Sequence, residues 1–398
     1  MVTRQHKSKQ ISMFISSMIL LSMVLLISLG GNSFAESKVV KNVTELKESV
    51  TSATDGDVIT LSEDFLYDNV TISVPNINVT INGENKIWSK GTISVDGNGS
   101  GSLEVKNLEF LTAEGPRAFS INTSSKVVLD SVKVTGRHGT GDGGALWFNG
   151  NANLKILNSH FEDNSTSGSG YSGGAIATKG FSGNLVIDNT KFIGNKTLAL
   201  GTGVLGGEGG AIYIYRPTGG TIDILNSTFE KNEAVKDGAS SGNIQFADGG
   251  AIAVFDVING AKVNIKNNSF NENIAGDDAG AILIQTIESV TSGVNIEDNR
   301  FRGNIAQSLE RETAGVKAQS GGAIQLYQNS GFSGRFTSKV NITDNTFEKN
   351  SVLNGGKGGA IATSKPIQAL FSNVQGILSG NTFTGNTPDD TVGSIIWQ

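Results

Sequence analysis

Apolar and polar residues alternate in short, recurring runs along most of this chain. Leu154 and Ile156 flank Lys155, Ile222 and Ile224 flank Asp223, and three further pairs, Val263/Ile265, Val294/Ile296 and Val340/Ile342, flank Asn264, Asn295 and Asn341. Period two is the mark of a strand with one buried face, so the apolar members point inward and the residues between them outward. Five residues after the second apolar position stands a phenylalanine, at Phe161, Phe192, Phe229, Phe270, Phe301, Phe347 and Phe383, each opening an F-x-x-N motif. The odd spacing places a short turn between the strand and an inward Phe. Asn158, Asn189, Asn226 and Asn267 fall in that turn. Asparagine suits it because it tolerates left-handed dihedrals and bonds its own backbone.

A glycine pair running into an apolar segment answers each F-x-x-N, at Gly143 (GGAL), Gly173, Gly209, Gly249, Ala279 (AGAI), Gly321 and Gly358. The stretch from Gly209 to Asn232, GGAIYIYRPTGGTIDILNSTFEKN, holds one complete unit. Seven alternating pairs with a period of 30 to 46 residues describe a solenoid, whose units bury their apolar faces only against one another. The fold class read from this is all-β: each unit is one coil of a right-handed, single-stranded parallel β-helix, of roughly ten to twelve coils and 50 to 60 Å in length. Repeated Phe and Ile are then core ladders. Repeated Asn and Gly are corner chemistry, with Ala the largest side chain that the glycine bend admits.

The pairing of GGAI with F-x-x-N, from about Gly143 to Asn386, resembles the repeats of the chlamydial-type polymorphic membrane proteins and related bacterial right-handed β-helix surface proteins. The resemblance implies a pectin-lyase-like solenoid displayed outside the cell, with adhesion as its role. Autotransporter members of that family continue into a membrane barrel. Residues 387–398, with apolar Ile395, Ile396 and Trp397, are expected instead to be a C-terminal cap over the last coil.

Taken in order, residues 1–35 read as a secretory signal: Arg4, Lys7 and Lys9 form a basic start, Ile11 to Leu29 an apolar run, and Ser33-Phe34-Ala35 a small-x-small cleavage site. Cleavage after Ala35 would release a secreted or cell-surface domain, residues 36–398. An uncleaved run would be the only attachment to a membrane, since its 19 residues are long enough to span one. Residues 36–66 form an N-terminal cap and first coil. Val43, Leu46 and Val50 show helical spacing behind Thr44 as N-cap, and this short helix shields the exposed end of the first coil from edge pairing. Coils fill residues 67–386. The early ones run through Val70 to Val74, Ile77 to Ile81 closed by Asn82-Gly83, and Thr92 to Val95. In Leu103/Val105/Phe110 and Val127/Leu129/Val134 they take up the later register, with Val134 in the Phe slot. Between each F-x-x-N and the next glycine pair lie 8, 13, 16, 5, 16 and 7 residues, the longest being Lys196 to Glu208, Glu233 to Asp248 and Ile305 to Ser320. Length variation is therefore assigned to one side of the solenoid, which is where repeat proteins bind.

Composition narrows the function. Without its first 35 residues the chain has 28 Lys and Arg against 37 Asp and Glu, a formal net charge of −9, which argues against nucleic acid as a partner. No cysteine is present, so disulfides and thiolate metal sites are excluded, and three histidines leave little for a histidine metal centre or a Ser-His-Asp triad. No cofactor is expected; Ca²⁺ would have only Asp and Glu oxygens, without a spaced ligand set. Gly206 to Ala211 is close to a Ca²⁺-binding glycine nonapeptide but carries Ala211 where that motif needs aspartate.

Two functional readings follow. The first is a non-catalytic adhesin or ligand-binding scaffold, whose loops on one face contact a host or cell-surface ligand or a polysaccharide. The second is a polysaccharide lyase or hydrolase of the pectate-lyase-like superfamily, which needs a basic residue beside carboxylates, or paired carboxylates. For that enzyme the candidates are Arg137, His138 and Asp142, in TGRHGTGDGG. Asp277-Asp278 has the look of a polygalacturonase aspartate pair but lacks a downstream R-x-K partner. For carbohydrate contact the candidates are Tyr213, Tyr215 and Arg216, because alternation puts both tyrosines opposite Ile212 and Ile214, on an outward and exposed face.

Overall fold

The computed structural model describes residues 35–392 apart from 67–68, 112–115, 150, 152, 169, 200–206, 237–246, 288–290, 308–319, 328–338, 364–376 and 389–390. The signal segment before Ala35, the apolar residues expected to cover the last coil, and the middles of the three long insertions lie outside them. Within them the chain winds as a right-handed parallel β-helix with one short helix. All strand pairings join one coil to the next in parallel and gather into sheets of 21, 7 and 11 strands. The 11-stranded sheet holds the glycine-motif strands, from Leu146–Asn149 to Ile361–Thr363, with three earlier strands before them and one after. A typical coil has a first strand (Lys262–Lys266), a second (Ser269–Asn271), a third (Ile274–Ala275) and a fourth, after the insertion and the glycine pair (Ile282–Ile287).

The inward register is the one the alternation predicts. Ile156, Ile187, Ile224, Ile265, Ile296 and Ile342 are fully buried, as are Phe161 through Phe347 of the F-x-x-N series. Those phenylalanines stack face to face, with Phe192, Phe229, Phe270, Phe301 and Phe347 at centroid spacings of 4.8 Å. The column begins earlier than its motif. Phe65 pairs with Trp88, Trp88 stacks on Phe110 at 6.0 Å, and Phe110 pairs with Val134, which pairs with Phe161.

The asparagines do more than turn corners. Asn158, Asn189, Asn226 and Asn267 hold φ of 49–55°, as expected of turn residues, but their amides bond the next coil rather than their own backbone. Asn189 donates to Asn158 at 2.8 Å and Asn267 to Asn226 at 2.6 Å. A second ladder, buried, is made by the last residue of F-x-x-N: Asn164, Asn195, Asn232, Asn273, Asn304, Asn350 and Asn386. From Asn195 onward each amide nitrogen donates to the carbonyl of the Phe one coil back, and each amide oxygen takes two donors from the preceding Asn, as Asn273 does from Asn232 at 3.0 and 2.9 Å; Asn164 donates to the Val134 carbonyl. Buried backbone groups at a corner cannot reach a sheet partner, and these amides satisfy them.

The two glycines of each pair have different jobs. Gly209 has φ of 67°, and Ala279, which takes the same place, adopts 62°. Gly210 is not left-handed; a Cβ there would lie 2.1 Å from the Gly250 carbonyl oxygen of the next coil and 2.6 Å from the Glu233 backbone. The first glycine serves the bend, and the second lets neighbouring coils approach.

Four expectations need correction. The helix spans Val43–Thr51, but its N-cap is Asn42, not Thr44: the Asn42 side chain accepts from the Glu45 amide at 2.9 Å while Glu45 accepts from the Lys41 amide at 2.8 Å. The helix buries Leu46 and Val50 against the first coil. Asn82-Gly83 does not close a strand; the chain continues from Asn78 to Ser89 and turns the corner through an irregularity, with Glu84 and Asn85 left-handed. Length variation is not confined to one side. From the glycine motif to the following Phe the chain takes 18 residues at Gly143–Phe161 but 26 at Gly321–Phe347, so the opposite corner receives insertions too. Finally, the outer face of the glycine-strand sheet is largely apolar and packed, with Ala177, Tyr213, Ala253, Phe255, Ala279 and Leu283 forming a second buried cluster.

Candidate functional site

The outer face of the 11-stranded sheet is where chemistry-bearing side chains converge. Parallel pairing stacks its outward positions into two columns. One contains Trp147, Ala177, Tyr213, Ala253, Leu283 and Gln325. The other contains Lys179, Tyr215, Phe255, Gln285 and Tyr327. Beside them runs a third column, the residue before each glycine pair: Asp142, Ser172, Glu208, Asp248, Asp278 and Ser320. Its backbone is stacked coil on coil, since the Gly173, Gly209 and Gly249 amides donate to the Glu208, Asp248 and Asp278 carbonyls at 2.9 Å.

Around Tyr213 these columns form one electrostatic neighbourhood. Asp142 accepts from Lys179 Nζ at 2.7 Å and from the Ser172 amide at 2.9 Å. The Ser172 hydroxyl donates to Glu208 Oε2. Glu208 is buried, and burial raises its pKa above the ordinary carboxylate value despite the Ser172 bond and the nearby Lys179. Burial also pushes the Tyr213 hydroxyl far above its usual range, reinforced by Glu208 and then Asp142, so it stays protonated. Arg117 lies over the Trp147 ring at 5.9 Å, its pKa lowered by burial and partly restored by Asp142. Aspartates continue the acidic column upward: the Asp278 amide donates to Asp248 Oδ1 at 2.9 Å and the Ser320 hydroxyl to Asp278 Oδ1 at 2.5 Å. Among the described residues, no three His, Asp or Glu side chains are arranged to hold a metal ion, and no helix is long and apolar enough to cross a membrane.

The residues singled out from sequence divide. Arg137, His138 and Asp142 do not come together as a site. Arg137 lies inside the solenoid, fully buried, where V-x-x-R of its coil replaces F-x-x-N. Its amide donates to Asn164 Oδ1 at 3.1 Å, and its guanidinium bonds the Trp88 and Pro116 carbonyls, both at 3.1 Å, with Phe110 at 5.5 Å. The smaller Val134 leaves it room, and it ends the buried asparagine ladder. Burial lowers its pKa to about 10. His138 is exposed, with Nδ1 2.5 Å from Ser165 Oγ. Only Asp142 faces the outer columns. Tyr213 and Tyr215 do share that face, stacked at 6.2 Å, but Tyr213 is only 7% exposed and packs edge-on against Phe255 at 5.5 Å. Tyr215 is half-buried and Arg216 exposed. Lys179, Glu208 and Arg117 were missed. Only Glu208 left a signal, as one of the recurring polar residues before the glycine pair, and in one coil that slot says nothing about the next.

Glu208 supplies a test of this electrostatic reading. Its folded pKa is raised above the ordinary 4.5, so the native state keeps a proton that the unfolded chain loses, and stability falls as pH rises from about 4.5 through the folded value. Glu208→Gln keeps a partner for Ser172 without a charge to bury. We expect its thermal midpoint to exceed that of the wild type at pH 7.5 and the gap to close at pH 4; a lower midpoint at pH 7.5 would show that the ionised carboxylate is favoured.

A sequence profile for the right handed beta helix region matches residues 84–280. No curated protein sequence matches the chain significantly. Among solved structures, the chain is similar to the catalytic unit of a thermostable GH87 α-1,3-glucanase from Streptomyces thermodiastaticus, with 14% identity, a TM-score of 0.35, and 92% of this chain and 70% of that one covered. It is also similar to a PL6 family polysaccharide lyase from Pseudopedobacter saltans, with 14% identity, a TM-score of 0.31 and coverage of 89% and 93%. An alginate lyase from Paenibacillus shows 14% identity, a TM-score of 0.25 and coverage of 88% and 98%.

Proposed function

We propose that this protein is a secreted or surface-displayed, non-catalytic scaffold that binds a glycan along the outer face of its glycine-strand sheet. The observation that carries this reading is the row of half-buried aromatic rings on that face. Tyr215 stacks on Tyr213, Tyr327 stands in the same column three coils on, about 14 Å away, and Trp147 lies under Arg117. Rings fixed by packing beneath them offer a sugar an apolar plate at little entropic cost. The groups suited to acid and base chemistry are meanwhile engaged: Asp142 with Lys179, and Glu208 with Ser172. Export rests on the first 35 residues, and adhesion on the GGAI and F-x-x-N resemblance. No cofactor is invoked.

An enzyme is the second reading, and one feature favours it. Lys179 stands outward among Asp142 and Glu208, and a lysine beside an acid whose pKa is raised by burial is material for a lyase or a hydrolase. Both readings are tested on the mature protein with xylan, β-glucan, pectate and alginate. Retardation in affinity gels, weakened in Tyr215→Ala and unchanged in Lys179→Ala, with no unsaturated products or new reducing ends, is the expected result. Turnover that Lys179→Ala abolishes would replace the scaffold with a lyase.

A further inference from the structure

The Tyr215 column does not stop at Lys179. Counting back one coil at a time, the register runs through Asn149, Asn122, Asp96 and Ser73. This end of the column opens into a cleft of about 630 Å³ lined by Ser73, Asp96, Asn98, Asn122, Thr123 and Asn151. It differs from the rest of the sheet in chemistry. Among the described residues no aromatic ring and no cation lines it; amides, hydroxyls and one carboxylate do.

The bonds within the cleft consume oxygens and spare nitrogens. Ser124 gives both its amide and its hydroxyl to Asn98 Oδ1, at 3.0 and 2.9 Å. The Ser73 hydroxyl donates to Asp96 Oδ1 at 2.5 Å, the Thr123 hydroxyl to the Gly97 carbonyl, and the Ser182 hydroxyl to Asn151 Oδ1. Among the described residues, the side-chain nitrogens of Asn98, Asn122 and Asn151 donate to no protein group. The second oxygen of Asp96 is likewise open to an incoming donor. Three amide donors and an acceptor, fixed on three adjacent coils, match a hydroxyl-bearing ligand.

We infer that this cleft is a second subsite for a neutral, linear glycan that lies along the solenoid axis and is gripped at its other end by Tyr215. The inference rests on the glycan-binding reading and names the ligand class. From Tyr215 to Ser73 is five coil steps, about 24 Å, the reach of an oligosaccharide rather than of a single sugar. The charge at the cleft selects against polyuronates there. Its one charged lining residue among those described is Asp96, which repels a carboxylate, and Lys179, further along the path, is already paired with Asp142.

The experiment titrates the mature protein with tri- and hexasaccharides of β-1,4-xylose, β-1,4-glucose and β-1,3-glucose, and with a galacturonic acid hexamer, by calorimetry. It uses the wild type, Tyr215→Ala and the double variant Asn98→Ala/Asn122→Ala, all exposed or half-exposed positions whose loss leaves the core intact. The wild type is expected to bind one neutral hexamer about tenfold more tightly than its trimer, and the double variant to lose that gain while keeping trimer affinity. The galacturonate hexamer is expected to bind more weakly than the neutral one. If the double variant binds the hexamer as the wild type does while Tyr215→Ala is weakened, the cleft is no subsite and the scaffold reading survives. If no neutral glycan binds at any length, or only the galacturonate does, the inference is overturned, and in the first case the scaffold reading falls with it.

Discussion

Replacing Phe270 by Ala is expected to cost about 3 to 5 kcal/mol of unfolding free energy. Phe270 is fully buried and stacks between Phe229 and Phe301 at 4.8 Å on both sides, so its loss opens a void in the middle of a column that cannot close. The coils are held apart by backbone pairing, which leaves little room for collapse into the gap. Asn264→Ala, one strand earlier in the same coil, is the internal comparison. Its amide donates to Asp223 and accepts from Asn295, both at 2.7 Å, on the half-buried outer side, and its loss should cost about 1 kcal/mol. Chemical denaturation of both variants checks the pair. Equal destabilisation would mean that the inward register is wrong.

The second large effect is expected at Asn273. Asn273→Ala removes the acceptor of the Asn232 amide and of the Asn232 side chain, and the donor to the Phe229 carbonyl, all inside the solenoid. Each orphaned buried group costs about 1 to 3 kcal/mol, so the variant should lose about 3 kcal/mol or more although only a few atoms are deleted. Asn267→Ala is the matched control, because its ladder is exposed and water replaces the bonds it makes. Denaturant midpoints of the two variants separate the cases; a cost at Asn273 no greater than at Asn267 would mean that the buried ladder is not what satisfies the corner.

These two residues also mark the boundary of what could be read in advance. That Phe270 points inward follows from the alternation of Val263, Asn264 and Ile265 and the odd step to the Phe, which is local geometry. That Asn273 bonds Asn232 and Asn304, 41 and 31 residues away, is not local. The motif announces a repeated polar residue, but its partners are copies of itself in other coils.

The candidate site shows the same division more sharply. Asp142, Tyr213, Tyr215 and Arg216 were legible as residues on or beside glycine-motif strands, because period two assigns them a face. Which of them meets solvent was not legible. Tyr213 is covered because Phe255, in the next coil and the neighbouring column, packs edge-on against it. Arg137 reads as a base beside a histidine, yet the V-x-x-R of its coil carries it inward to close a ladder. Lys179 and Glu208 meet Asp142 and Ser172 only because successive coils align, whatever the length of the insertion between them.

By itself, then, the sequence determined the coil: its strands, its corners, its inward faces and its parallel stacking, since sterics and the hydrophobic effect act over a few residues at a time. The tertiary structure alone decided which outward groups touch, which are buried and how their protons are held. Those outcomes depend on distances between residues 30 or more positions apart, and on the electrostatics of burial, which no single repeat contains.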